Sequence, residues 1–233
     1  MLNLFASLGG GFLAGALQVV WPVSCPVCGK LGEHLCEECL ESIMDAASVF
    51  CIECGLDAPC GSHPRGPLCR AAAWHSGAAR DAVHVMKYRN GRGTAFLMGK
   101  LMAARFARPD VDFLVPVPLH KSSDRDYNQA ESMARGAGKI WRIPVVSPLG
   151  WRWRTPRQAL KLGSEARSLP DDALTGRGLG AGVRVFIVDD VYTSGSTVRA
   201  AARALEKMGA SVAGAMVWSR SGGRVSKDVD RAV

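Results

Sequence analysis

The sequence contains no cysteine after Cys69, although eight cysteines lie at or before that position. Because the last 164 residues have none, disulfide bonds cannot hold the whole chain together, and the cysteines must serve a local unit. The sequence also lacks Lys and Arg before Lys30, whereas a secretory signal peptide begins with basic residues. We therefore expect a cytoplasmic chain with reduced thiols. A disordered chain is excluded, since 48% of the residues are hydrophobic and only 21% are charged.

Residues 2–24 also lack charged side chains, which raises the question of a membrane span. Glycines interrupt this run, and it barely reaches the roughly 20 apolar residues that a bilayer requires. Leu4, Leu8 and Phe12 recur at helical spacing. The pattern predicts that residues 1–23 form an apolar helix that packs on the protein or touches the inner face of the membrane. A membrane anchor is the alternative.

Most of the cysteines occur as C-x2-C pairs, which are typical of zinc sites. The first two pairs predict one tetrahedral site formed by Cys25, Cys28, Cys36 and Cys39. A second site is predicted from Cys51, Cys54, Cys60 and Cys69. His63 forms a C-x2-H pair with Cys60 and is the alternative fourth ligand. Because four protein ligands leave no position for water, we expect one or two structural Zn²⁺ ions that stabilise a unit too small for its own core.

The formal net charge of +8 is unevenly distributed along the chain. Residues 1–70 have three basic and seven acidic side chains, a net charge of −4, whereas residues 71–233 have 26 basic and 14 acidic ones, a net charge of +12. This division predicts an acidic zinc ribbon module at residues 24–70, a basic domain at residues 71–220 and a flexible tail at residues 221–233. The basic domain is expected to bind a phosphate-rich ligand, a nucleic acid or both.

The most specific motif follows a continuous apolar strand at residues 185–188. Two carboxylates, Asp189 and Asp190, come next, and a loop of small hydroxylated residues then opens a helix. Backbone amides at the start of such a helix bind phosphate. Because carboxylates repel a phosphate, the acids are expected to face ribose hydroxyls or a metal attached to it. The lysine of a general phosphate loop is absent. The loop consists of Thr193, Ser194, Gly195, Ser196 and Thr197.

This stretch resembles the phosphoribosyl-pyrophosphate loop of type I phosphoribosyltransferases. The resemblance implies an α/β fold whose mainly parallel sheet is flanked by helices. It also implies that Asp189 and Asp190 are the catalytic acids that hold the ribose hydroxyls, while residues 193–197 hold the 5′-phosphate. Lys87 and Arg125 are the candidates near a pyrophosphate group, and residues 120–121 follow a strand at the mouth of the site.

More specifically, the chain resembles the ComF competence proteins. The resemblance lies in a V-P-V-P strand at residues 115–118, the motif R-D-Y-N-Q at residues 125–129 and the N-terminal cysteine pairs. This resemblance implies that the chain handles incoming single-stranded DNA during natural transformation, with the uptake helicase and DprA as partners. Asp126 stands where the family has a glycine near the pyrophosphate. The alternative is an active phosphoribosyltransferase that joins a base or amine to ribose 5-phosphate with Mg²⁺.

Cations and aromatic rings alternate in the segment that begins at residue 151. This combination suits single-stranded nucleic acid, because arginine binds phosphate and tryptophan stacks on bases. The alternative is the end of a strand with buried tryptophans, followed by a solvated basic loop. The residues predicted to contact nucleic acid are Trp151, Arg152, Trp153, Arg154 and Arg157.

Overall fold

The computed structural model describes residues 24–25, 27–33, 35–44, 48–88, 91–120, 123–152, 169–170 and 172–221. The helices are α1 (Glu37–Met44), α2 (Gly77–Tyr88), α3 (Arg92–Arg105), α4 (Gln129–Trp141) and α5 (Ser196–Glu206). The strands are β1 (Ser48–Cys51), β2 (Leu68–Trp74), β3 (Phe113–Pro116), β4 (Leu149–Trp151), β5 (Leu174–Gly176), β6 (Arg184–Tyr192) and β7 (Ser211–Arg220). Within these ranges, none of the helices has the length and hydrophobicity that a membrane crossing requires. The predictions for residues 1–23, Lys121, Trp153, Arg154, Arg157 and residues 222–233 lie outside the described residues.

Five of the described strands form one sheet in the order β1-β2-β7-β6-β3. The pairs β2–β7, β7–β6 and β6–β3 are parallel, whereas β1 pairs antiparallel with β2. Strands β4 and β5 form a separate antiparallel pair. A parallel strand is buried on both faces, which explains the uninterrupted apolar run in β6. The predicted fold class, a mainly parallel sheet flanked by helices, is confirmed.

Successive side chains of β6 enter two hydrophobic cores on opposite faces of the sheet. Phe186 and Val188 pack in a core with residues of α2, α3 and α4. Val185 and Ile187 pack in another core with residues of α5, β4 and β5. This alternation follows from the two-residue repeat of a strand. The sheet is therefore covered on both faces, and the ends of its strands are left to form a binding site.

Strand β2 connects the cysteine-rich segment to the rest of the protein. It pairs with β1 on one side and with β7 on the other, so both parts of the chain share one sheet. Residue 70, where the predicted zinc ribbon module ends, lies inside this strand. The position of the second cysteine group is consequently tied to the sheet by backbone hydrogen bonds.

Helices α3 and α4 approach each other closely at two glycines. A Cβ added at Gly99 would overlap the carbonyl oxygen of Met133, and a Cβ added at Gly136 would overlap that of Phe96. Both obstacles are backbone atoms of a neighbouring helix, which cannot move aside as a flexible side chain can.

We expect Gly99→Ala and Gly136→Ala each to lower the free energy of unfolding by roughly 1–3 kcal/mol, because overpacking outweighs the gain in helix propensity. Urea-induced unfolding followed by circular dichroism would measure the change. Gly180→Ala is the control, since a Cβ there has no atom within 4 Å and should leave stability nearly unchanged. Equal stability of all three variants would contradict the close approach.

Candidate functional site

The carboxyl ends of the parallel strands meet at one edge of the sheet, where open α/β sheets bind their ligands. A pocket of about 200 Å³ opens there between the ends of β3 and β6 and the start of α4. It brings together predicted site residues that are distant in sequence. Its lining combines acidic, basic and apolar side chains and includes Val117, His120, Arg125, Trp151, Asp189, Asp190 and Thr197.

The two adjacent acids have different surroundings. Asp189 is buried in β6, and its carboxylate accepts a hydrogen bond from the backbone N–H of Asp190 at 2.8 Å. Burial and the neighbouring charge of Asp190 raise the pKa of Asp189 well above its ordinary value. Asp190 forms an ion pair with Lys87, in which Nζ lies 2.7 Å from Oδ2. Lys87 lies in the last turn of α2, so this ion pair joins the helix to the end of β6.

The predicted phosphate loop, residues 193–197, connects β6 to α5. Gly195 caps the helix with a φ of +75°, a conformation that favours glycine. Because α5 begins at Ser196, the backbone N–H groups of its first turn have no acceptor within the helix. The side chains of Thr193 and Ser194 are exposed. The loop can therefore hold a phosphate group through backbone N–H groups and hydroxyls.

Another wall of the pocket is formed where α4 begins. Asn128 caps this helix by accepting a hydrogen bond from the N–H of Ala130, and its Nδ2 donates to the carbonyl of Val117 at 2.9 Å. Arg125 donates to Oε1 of Gln129 at 3.2 Å. Gln129 is buried, and among the described residues its Nε2 has no hydrogen-bond partner. Since Gln129 lines the pocket, this donor is available to an oxygen atom of a ligand.

Gln129 and His75 are polar residues at this edge of the sheet that are absent from the predicted site. His75 follows β2, and its Nδ1 lies 2.8 Å from Oγ of Ser219 in β7. Burial lowers the pKa of His75, and the charge of Lys87 lowers it further. A polar residue directly after an apolar strand is the signal that could have indicated His75.

Two of the predicted nucleic-acid contacts lie in the described part of the chain. Trp151 is buried in β4, its Nε1 donates to the carbonyl of Pro118 at 2.8 Å, and its ring centroid lies 4.8 Å from that of His120. This burial favours the alternative of a strand end with a buried tryptophan. Trp151 nevertheless lines the pocket, so its contact with a nucleic acid stays a prediction. Arg152 is exposed and forms an ion pair with Asp172.

The first predicted metal group comes together as expected. The ligand atoms of Cys25, Cys28, Cys36 and Cys39 all lie within 4.8 Å of one another, and Sγ of Cys28 is 3.4 Å from Sγ of Cys36. A tetrahedral zinc ion with Zn–S bonds of about 2.3 Å holds its sulfur atoms about 3.8 Å apart, so the group fits zinc. Although burial alone raises it, backbone hydrogen bonds bring the pKa of Cys25 down to about 7, which favours the metal-binding thiolate.

The second metal group consists of Cys51, Cys54, Cys60 and His63. The choice of Cys69 as the fourth ligand is therefore wrong, and the alternative, His63, is confirmed as the fourth member of the group. In the β1–β2 pair Phe50 lies opposite Cys69, and because side chains alternate along a strand, Cys69 and Cys51 point to opposite faces. Burial raises the pKa of the Cys69 thiol, which keeps it protonated in the core.

The chemistry of the second group also suits zinc. Sγ of Cys60 lies 3.4 Å from Sγ of Cys54 and 3.6 Å from Nδ1 of His63. Hydrogen bonding to His63, and after it to Cys54, lowers the pKa of Cys60 to about 6, so this thiol is mostly ionised at neutral pH. Three sulfur atoms and one imidazole would complete a four-coordinate zinc shell of the structural type.

We expect purified protein to contain two zinc ions per chain, one for each group. His63→Ala should lower the content to about one ion, since three ligands hold zinc weakly. Cys69→Ala should retain both ions, because its thiol lies on the other face of the sheet. Elemental analysis would measure zinc content, and the opposite result for the two variants would restore Cys69 as the ligand.

The environment of Asp189 leads to a prediction about stability. A carboxyl group whose pKa is higher in the folded than in the unfolded chain destabilises the fold as the pH rises above the unfolded value. Asp189→Asn should therefore raise the Tm at pH 7, and this gain should vanish below about pH 3.5, where the carboxyl is protonated in both states. Asp110→Asn, at an exposed acid, is the control for scanning calorimetry across pH. A lower Tm for Asp189→Asn at pH 7 would contradict the argument.

Several solved structures have limited similarity to this chain. The allosteric regulatory enzyme of purine biosynthesis is 22% identical to this chain, with a TM-score of 0.42. The match covers 58% of this chain but only 30% of the length of that enzyme. Adenine phosphoribosyltransferase from Saccharomyces cerevisiae is 13% identical with a TM-score of 0.38, covering 79% of this chain and 89% of that one. The adenine phosphoribosyltransferase from Thermoanaerobacter pseudethanolicus is 17% identical, with a TM-score of 0.35, and the match covers 60% of this chain and 73% of that enzyme.

A family model shows the family of the chain, which these pairwise similarities do not. No curated protein matches the chain. The model of the phosphoribosyl transferase domain matches residues 96–231, more than half of the chain, and this stretch includes β3, α4, β6, the loop at residues 193–197 and α5. On this match, the chain belongs to the phosphoribosyl transferase domain family.

Proposed function

We propose that the chain binds a phosphoribosyl ligand in the pocket at the carboxyl edge of the sheet. The observation that carries the proposal is the position of two acids, one buried and one paired with Lys87, beside a loop suited to phosphate. Residues 193–197 take the 5′-phosphate in this arrangement, while Asp189 and Asp190 accept hydrogen bonds from the ribose hydroxyls.

The basic residues around the pocket suit a second phosphate group on the same ligand. Arg125 lines the pocket, and Lys87 forms an ion pair with Asp190, which also lines the pocket. A pyrophosphate group attached to the ribose would be neutralised by these cations, and Gln129 Nε2 offers a further donor. Mg²⁺ suits such a ligand, because it prefers phosphate and carboxylate oxygens.

The more specific part of the proposal is a ComF-like role in natural transformation, with single-stranded DNA as the macromolecular ligand. Two observations support it: the net charge of +12 on residues 71–233 and the sequence resemblance in the cysteine pairs and the V-P-V-P strand. Under this proposal the protein acts in the cytoplasm, at the inner face of the membrane, with the uptake helicase and DprA as partners.

The alternative is catalysis of phosphoribosyl transfer to a base or amine. The observation that favours it is the pocket itself, which holds both acids and Arg125 around one space. In such a reaction the protein would position the charged leaving group and stabilise the positive charge that develops on the ribose.

Isothermal calorimetry with phosphoribosyl pyrophosphate and Mg²⁺ tests the ligand directly. Wild-type protein should bind, and Asp189→Ala/Asp190→Ala should weaken binding by about 100-fold, because two hydrogen-bonded carboxylates are lost. Asp81→Ala/Asp110→Ala is the matched control that removes two exposed acids and should bind normally. The proposal fails if wild-type protein does not bind, or if both double variants bind equally well.

Two further measurements on the same preparation separate the DNA-binding role from catalysis. Fluorescence anisotropy with a single-stranded oligonucleotide should give an affinity that falls steeply as salt increases. Release of pyrophosphate in the presence of nucleobases would instead identify the enzyme. DNA affinity that is absent at low salt would contradict the ComF-like role while leaving the phosphoribosyl ligand in place.

A further inference from the structure

The two residues between Cys51 and Cys54, the third C-x2-C pair, make hydrogen bonds outside their own module. The hydroxyl of Tyr192 donates to the carbonyl of Ile52 at 2.9 Å. Nη1 of Arg199 donates to the carbonyl of Glu53 at 3.2 Å. Both acceptors thus belong to the tight turn that carries Cys51 and Cys54, and both donors come from the phosphoribosyl transferase domain.

Tyr192 and Arg199 also shape the phosphate loop. Tyr192 is the residue that directly precedes the loop, and a Cβ at Gly195 would overlap both its hydroxyl and its ring. Nη1 of Arg199, the same atom that donates to Glu53, donates to the carbonyl of Ser194 at 2.9 Å. One guanidinium nitrogen therefore bridges the loop and the metal-binding turn.

Several hydrogen bonds also hold the turn, among them one from the N–H of Ile52 to the carbonyl of Pro67 at 3.1 Å. Within the turn, the N–H of Gly55 donates to the carbonyl of Cys51 at 2.9 Å. From the sheet, Nη2 of Arg220 donates to the carbonyl of Gly55 at 2.9 Å. The four ligand atoms of the second group lie within 4.8 Å of one another, so a bound ion would fix the direction of the Ile52 and Glu53 carbonyls.

The first metal group has a different location. Cys25 and Cys36 are buried in the core that contains residues of α2, α3 and α4. Tyr192 and the Val198 side chain of α5 pack in the core on the other face of the sheet, together with Ile52. The two groups therefore offer a comparison between metal binding near the loop and metal binding away from it.

We infer that Tyr192 and Arg199 are positioning residues that couple the second metal group to the phosphate loop, so that metal in this group, and not in the first, raises the affinity of the loop for phosphate. The inference rests on the proposed phosphoribosyl ligand. Because coupling between two binding sites is reciprocal, the ligand must also hold the second metal ion more tightly.

The first experiment compares two cysteines in equivalent positions. Cys54 and Cys28 are each the exposed second cysteine of a C-x2-C pair. Cys54→Ser should weaken the binding of phosphoribosyl pyrophosphate with Mg²⁺ by about tenfold in calorimetry, whereas Cys28→Ser should change it less than about twofold. Equal effects of the two substitutions would overturn the inference. Circular dichroism and zinc content must show that each variant is folded and has lost one ion.

The second experiment leaves all eight metal ligands intact. A colorimetric chelator records the release of zinc from wild-type protein, and the ligand should slow the release of one of the two ions. Arg199→Met should abolish this protection and weaken ligand binding. Arg203→Met, one turn further along α5, removes the same charge and should keep both properties. Arg199→Lys retains the charge without the planar donor pair and should restore binding only in part.

The outcomes separate the two proposals. If wild-type protein does not bind phosphoribosyl pyrophosphate, the proposed function fails. The coupling is contradicted if the protein binds the ligand but the ligand slows the release of neither zinc ion. It is also contradicted if the ligand slows zinc release from Arg199→Met as much as from wild type. In both cases the proposed phosphoribosyl ligand remains supported. Should Cys54→Ser not fold, the chelator experiment on Arg199→Met and Arg203→Met still decides the matter.

Discussion

The backbone hydrogen bonds between β2 and β7 place the second metal group and the phosphate loop on one sheet. In the register of these strands Trp74 lies opposite Arg220, and Arg220 lies opposite Tyr192 of β6. Arg220 is almost completely buried, and its charge is compensated by Asp57 at 2.6 Å and by the rings of Phe50 and Trp74. A buried guanidinium requires such partners. The metal-binding turn is thereby attached to the sheet at the strand ends that carry the site.

The site contains an acidic side chain at a position where burial disfavours its ionised form. Burial makes the ionised form of Asp189 unfavourable, while Lys87 compensates the charge of the adjacent Asp190. Gln129 contributes a buried donor that has no acceptor within the described chain. Buried polar groups without partners are costly in an apolar pocket. The proposed ligand, with its hydroxyl groups and phosphate oxygens, would provide partners for both the acids and the donor.

The two cysteine groups attach the N-terminal segment to the protein at different places. The first packs on the core that α2, α3 and α4 share, and the second lies beside the end of β6. Each segment is short, so attachment to the sheet and, with zinc bound, the metal would both contribute to its stability. The same attachment brings the carbonyls of Ile52 and Glu53 within reach of the side chains that surround the phosphate loop.

Features encoded in contiguous residues could be predicted from the sequence: the parallel fold, the position of the two acids and the loop between β6 and α5, and the first group of clustered cysteines. Their signals are local, because a strand, a turn and a helix start each depend on neighbouring residues. The tertiary structure alone decided that His63 replaces Cys69, since the pairing of β1 with β2 turns Cys69 into the core. It also decided that Trp151 is buried, that Gln129 lines the pocket and that His75 contacts Ser219 at the end of β7. These outcomes depend on strand register and packing between distant segments, which no short stretch of sequence specifies.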